Sequence, residues 1–151
     1  APKMKAYEIT DKAEEMLKGG KYKFGRINFA NGDMVGHSGV PSAIITAVET
    51  VDECLERLIK TVNDLNGITI VLADHGNSDE MYTVKDGEKM VSTAHSLNPV
   101  PFAIADSGYK DEYNIAKLDK RGLSNVAATL LNLLGYEKPE EYDSSLITFR
   151  N

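Results

Sequence analysis

Thr69-Ile70-Val71-Leu72-Ala73-Asp74-His75-Gly76-Asn77 is the stretch that decides how this chain is read. Residues 68–73 form a continuous apolar run rich in β-branched side chains, which predicts a strand buried on both faces. An aspartate and a histidine arrive together at the carboxyl end of that strand, and Gly76 lets the backbone turn away directly after them. In an open α/β sheet the carboxyl edge is where ligands and metal ions collect. A carboxylate beside an imidazole is a compact O/N ligand pair. The same residues also fit a polar surface turn, and the rest of the sequence has to choose.

Working outward, the segments flanking this strand alternate between helix and strand. Proline 41 opens a long helix over 41–65, in which Ile44, Val48, Val51, Leu55, Leu58, Val62 and Leu65 recur at spacings of four and three. That repeat fits a coiled-coil seam, or a crossover helix lying on a sheet. Cys54 lies within it as an ordinary half-buried residue. A strand over 24–30, diluted by Arg26 and Asn28, would complete a right-handed βαβ unit with parallel strands. The expected class is therefore α/β, a mostly parallel sheet with flanking helices.

Nearer the start, Thr10 is a candidate N-cap, with Glu14 and Glu15 in the first turns and Gly19-Gly20 as the stop. Beyond the central strand, Tyr82-Thr83-Val84 and Lys89-Met90-Val91 flank Asp86-Gly87, a type I′ hairpin signal. A last apolar strand follows over 102–105, then a solvated loop over 106–121. Ser124 is the candidate cap of a final helix closed by Gly135, and the polar tail from Glu137 is expected to wrap the surface.

Composition narrows the function classes. With 42% hydrophobic and 26% charged residues, these 151 residues resemble an ordinary globular chain with one sizeable core. No apolar run approaches the ~20 residues needed to span a bilayer, so no membrane partner is expected. A net charge of −6 without a basic stripe argues against a nucleic-acid partner. A single cysteine excludes an internal disulfide framework and fits a reducing, cytoplasmic location. Ala1-Pro2-Lys3-Met4-Lys5 has neither an initiator methionine nor the apolar core of a secretory signal. The chain is therefore expected to be a piece of something larger.

All three histidines, His37, His75 and His95, stand in turns close to glycine, serine or aspartate. None lies on an apolar helix face. Asp33 and His37 are four apart, which brings them to one side if their loop makes a helical turn. Mixed imidazole and carboxylate donors suit manganese, zinc or iron. Two ions about 4 Å apart in such a set could stabilise both the attacking and leaving oxygens of a phosphoryl group. On spacing alone, structural polar turns remain the competing explanation.

The motifs themselves resemble a known family. Asn28-Phe29-Ala30-Asn31-Gly32-Asp33-Met34-Val35-Gly36-His37-Ser38-Gly39, Ala73-Asp74-His75-Gly76-Asn77 and Thr93-Ala94-His95-Ser96-Leu97-Asn98-Pro99-Val100-Pro101 are similar, in order, to the C-terminal metal motifs of cofactor-independent phosphoglycerate mutase. Ala6-Tyr7-Glu8-Ile9-Thr10-Asp11 and Val51-Asp52-Glu53-Cys54 match as well, so the resemblance covers nearly the whole chain. Gly32 stands where many members carry proline. The resemblance implies an alkaline-phosphatase-like fold and an isomerase that interconverts 3-phosphoglycerate and 2-phosphoglycerate through a phosphoserine, in glycolysis and gluconeogenesis. It implies two divalent ions, manganese foremost with magnesium or cobalt as variants, and no requirement for 2,3-bisphosphoglycerate. Asp33, His37 and His95 would hold one ion, and Asp74 and His75 would help to hold the other.

The family's nucleophilic serine sits in an Asn-Ser-Glu-Val-Gly-His context with no counterpart here. Asn77-Ser78-Asp79-Glu80 lacks the Val-Gly-His continuation. Arg26, Arg57, Arg121 and Arg150 fall outside the motifs of the family's substrate-gripping arginines. Residues 1–151 are thus expected to be a single partial domain, the C-terminal part of the phosphatase domain, with no catalytic nucleophile and no transferase domain. Alone it is expected to be inactive, and self-association through uncovered surface is expected of it, whereas the resemblance implies a monomeric parent acting on a small-molecule substrate. Two alternatives stand beside this one. The first is another metalloenzyme of the same superfamily, a phosphopentomutase or phosphodiesterase, and the second is a non-catalytic module that binds a partner through the 41–65 helix.

Overall fold

A computed structural model describes residues 1–150. Two compact units make up the chain, one over Ala1–Asp106 and one from Ser107 onward. The first holds every residue singled out above as a metal ligand.

Its helical layer is built from α1 (Ala6–Lys18), α2 (Asn31–Gly36) and α3 (Pro41–Asp64). Helix α1 begins five residues before the expected start. Thr10 is an interior residue, fully buried, with its hydroxyl donating to the Ala6 carbonyl at 2.8 Å. A threonine that satisfies itself on the preceding turn can face a helix interface, and the N-cap signal is indistinguishable from this use. Beyond Lys18, Gly20 takes a positive φ of 66°, the left-handed turn that a side chain resists.

Helix α3 packs on α1, α2 and the following strand, so the coiled-coil reading is set aside. Its buried stripe is Ile44, Ala47, Thr50, Cys54, Leu58 and Thr61, rotated from the apolar repeat. Val48 and Leu65 remain 48% and 47% exposed. Small residues and self-satisfied hydroxyls let α1 approach closely. Thr50 donates to the Thr46 carbonyl at 2.7 Å, and Cys54 is wholly buried, not half-buried as expected. At the edge of this contact Arg57 bridges Asp11 at 2.6 Å and Glu14 at 3.1 Å.

The strands depart from the expected topology. The strand β1 (Ile68–Leu72) forms where the apolar run predicted it, but its partner is β4 (Phe102–Asp106), antiparallel, with Leu72 opposite Phe102 and Ile68 opposite Asp106. Residues 24–30 adopt no strand and are largely exposed. A strand is defined by its neighbour's backbone groups, and no pairing engages this segment. The parallel βαβ unit is therefore absent. All strand pairs among the described residues are antiparallel. The mixture of helices and strands keeps the chain in the expected α/β class.

Between β1 and β4 the chain makes the expected hairpin, β2 (Tyr82–Lys85) and β3 (Glu88–Val91). Asp86 and Gly87 have φ of 53° and 82°, as a type I′ turn requires.

In the second unit, the expected loop over 106–121 contains β5 (Tyr113–Ile115), paired with β6 (Ile147–Phe149) from the tail. Leu146 and Ile147 are buried, so the tail contributes core as well as surface. Ser124 lies inside a short 3-10 turn over Leu123–Asn125 that leads into α4 (Val126–Leu133). The capping contact comes from Asn125, whose side-chain oxygen accepts the Gly122 N–H at 2.8 Å. Gly135 closes α4 with φ of 86°.

Candidate metal centre

The antiparallel pairing explains how distant motifs meet. Asp74 and His75 follow the carboxyl end of β1, and His95 precedes the amino end of β4. With Leu72 opposite Phe102, both loops emerge from the same end of the pair. An isolated bridge between Gly76 and Ser96 continues the pairing past the strands, with the Ser96 N–H donating to the Gly76 carbonyl at 2.8 Å.

Asp33 and His37 arrive from the helical layer. The loop holding them winds into the single turn and a half of α2, so the i, i+4 spacing brings His37 Nε2 to 3.2 Å from Asp33 Oδ1. Contacts pin the start of α2, directly before the aspartate. The Asn31 amide donates to the carbonyls of Pro2 and Lys3, each at 3.0 Å, and Ser78 Oγ donates to the Gly32 carbonyl at 2.7 Å.

Asp33 is the hub. Its Oδ1 lies 2.9 Å from His95 Nε2, 3.2 Å from His37 Nε2 and 3.9 Å from His75 Nε2. The rings of His75 and His95 stack at 3.8 Å, and His37 tilts against His95 with centroids 5.2 Å apart. Asp33, His75 and His95 each offer a ligand atom within 4.8 Å of the others. Asp74 is the outlier: it is mostly exposed, and its Oδ1 lies 3.8 Å from His75 Nε2. The structure thus draws three of the five predicted residues around the carboxylate of a fourth, Asp33, and leaves the fifth at the rim.

The electrostatics favour an ionised hub. Burial works to raise the Asp33 pKa, but the Asn77 amide and the neighbouring His37 and His95 outweigh it and hold the carboxyl below its ordinary value. Asn77 Nδ2 donates to Asp33 Oδ1 at 3.0 Å. His37 is oriented from behind, because its Nδ1 lies 2.7 Å from the Thr93 carbonyl and must carry the hydrogen there. In the neutral ring the Nε2 lone pair then faces Asp33, the tautomer a cation needs.

These residues fit a divalent cation on donor chemistry: one carboxylate oxygen and imidazole nitrogens converge with hydrogen-bonded supports behind them. The supports are what sequence reasoning missed. Asn77, Asp79, Ser96 and Asn98 were in view only as motif neighbours, and the 77–80 segment only as a false nucleophile motif. The signal available was the crowding of short polar residues around Gly76 and Gly36. A Cβ on Gly76 would sit 2.0 Å from Ser96 Oγ, and one on Gly36 would sit 2.0 Å from Asn77 Oδ1.

A family profile described as the metalloenzyme superfamily matches residues 1–138. A 2,3-bisphosphoglycerate-independent phosphoglycerate mutase of Trypanosoma brucei brucei is 46% identical over 97% of this chain and 28% of its own length. The mutase of the same name from Clostridioides difficile is 48% identical over 93% of this chain and 26% of its own. Among solved structures, a Leishmania mexicana phosphoglycerate mutase at low cobalt concentration superposes with a TM-score of 0.93 at 46% identity. That alignment covers 99% of this chain and 29% of the other. The alkaline-phosphatase-like α/β class expected from the resemblance therefore holds, and the chain spans under a third of the length of the relatives it matches. Because the family match runs through α1 to α4 and takes in Asp33 and all three histidines, the chain belongs to the metalloenzyme superfamily.

Proposed function

We propose that this chain supplies the metal-holding part of a cofactor-independent phosphoglycerate mutase, an isomerase of glycolysis and gluconeogenesis that interconverts 3-phosphoglycerate and 2-phosphoglycerate through a phosphoserine. The observation that carries the reading is the convergence of His37, His75 and His95 on the single Asp33 carboxylate. The names of the relatives support this activity over a phosphopentomutase or a phosphodiesterase.

In this reading Asp33, His37 and His95 hold one divalent ion, and Asp74 with His75 contributes to a second. Manganese is the first choice, with magnesium or cobalt as substitutes, and free 2,3-bisphosphoglycerate is not required. Such ions, when bound, neutralise phosphoryl charge and activate a hydroxyl nucleophile. The chain's own part is preorganisation: Asn77 keeps Asp33 turned inward, and Thr93 fixes the His37 tautomer. The residues act as one part of a phosphatase-type domain, with the cytoplasm as the proposed location. Among the described residues no helix is long and apolar enough to cross a membrane. No serine in these residues stands in the family's nucleophile context, so this polypeptide alone does not turn over phosphoglycerate.

Calorimetric titration with manganese and cobalt, paired with a mutase assay, tests this. The expected result is metal binding weaker than in a full-length relative, abolished by Asp33→Ala, with no turnover. Turnover by the pure polypeptide that is sensitive to His37→Ala would overturn the inactivity, and tight binding of two ions would overturn the expected weak binding.

A further inference from the structure

The loop carrying His75 and the loop carrying His95 are fastened together by one carboxylate that has no place in the ligand set. Asp79 Oδ2 accepts from Ser96 Oγ at 2.8 Å and from Asn98 Nδ2 at 2.7 Å. Ser96 Oγ in turn receives the Asn98 N–H at 3.4 Å, so the hydroxyl is used as both donor and acceptor. Only 8% of Ser96 is exposed. It directly follows His95, and its N–H reaches the carbonyl of Gly76, which directly follows His75. The fit between the two loops is tight enough that a Cβ on Gly76 would fall 2.6 Å from Asp79 Oδ1 as well as 2.0 Å from Ser96 Oγ.

We infer that Asp79 is a positioning residue that sets the separation of the His75 and His95 imidazoles by clamping Ser96 and Asn98. The inference rests on the metal-centre reading above. The two rings stack at 3.8 Å with 19° between their planes, and both Nε2 atoms face Asp33 Oδ1. A carboxylate suits the task because it only accepts, so one oxygen can take two donors from the opposite loop. Supports of this kind behind metal ligands govern affinity without touching the ion.

The test is cobalt titration of wild type, Asp79→Ala and Ser96→Ala, followed by calorimetry and by the visible absorption band of bound cobalt. Asp79→Ala is expected to weaken cobalt binding by about 10- to 100-fold, the usual cost of losing an outer support. At saturating cobalt its band is expected to shift in position or intensity, which a loss of stability alone would not cause. Ser96→Ala removes one donor and is expected to fall between the two; it carries the test if Asp79→Ala does not fold. Melting of all three in chelator controls for folding. Wild-type affinity and an unchanged band in folded Asp79→Ala, or in Ser96→Ala if only that variant folds, would overturn the clamp alone. Failure of the wild-type chain to bind cobalt would overturn the metal-centre reading and the clamp together.

Discussion

Replacing Gly36 by alanine sets helix propensity against packing, and the structure says which wins. Gly36 lies in the last turn of α2 at a negative φ, buried, so by propensity alone alanine should stabilise by roughly 0.5–1 kcal/mol. Its Cβ, however, would come within 2.0 Å of Asn77 Oδ1 and 2.7 Å of Asn77 Cγ. Asn77 is only 6% exposed and cannot swing outward without giving up its hydrogen bond to Asp33. Overpacking costs about 1–3 kcal/mol. Losing a hydrogen bond to a charged acceptor costs about 1.5–3 kcal/mol, less here because the Asp33 side chain is 34% exposed. The net expectation is a loss of about 2 kcal/mol, after subtracting the helix gain. Urea denaturation in chelator, followed by circular dichroism, should show a lower midpoint at an unchanged slope. In an Asn77→Ala background the same substitution should cost at least about 1 kcal/mol less, because the clash is gone. A Gly36→Ala protein as stable as wild type would refute the reasoning, and so would strict additivity of the two changes.

Two further outcomes follow from the helical layer. Hydrogen bonding to Arg57 holds the Glu14 carboxyl below its ordinary value of 4.5 despite partial burial. A depressed folded-state pKa gives stability that is present above the unfolded value and lost as pH falls through the folded one. Wild type should therefore lose stability below about pH 4.5, and Arg57→Ala should lose less over that window; parallel profiles from pH 6 to 3 would count against the pair. Cys54 is wholly buried on the packed face of α3, so a thiol reagent should label it only at the rate of unfolding, and rapid labelling of native protein would contradict the packing of that face.

Local pattern was enough for much of the fold. The proline opening α3, the apolar run of β1, the Asp86-Gly87 turn and the glycines after α1 and α4 each act through their own φ, ψ or periodicity, and each lies where the sequence put it. The candidate residues were also in view, because His37, His75 and His95 stand in turns close to glycine, serine or aspartate, and the structure brings all three to Asp33. Strand direction was not. Period and composition say that residues 68–73 will be a strand but carry no information on which neighbour will supply its hydrogen bonds. The choice of β4 over residues 24–30 came from long-range pairing, and it decided that His95 and His75 would share one end of a hairpin-like pair. The same holds for Thr10, Asn77 and Asp79. A threonine's signal is the same at a cap and in a buried helix face, and a carboxylate four residues past a metal motif reads as surface until the opposite loop brings Ser96 and Asn98 within 3 Å of it. The sequence determined which groups could bind a cation; tertiary pairing decided which of them meet, because the hydrogen bonds that hold them there join residues far apart in the chain.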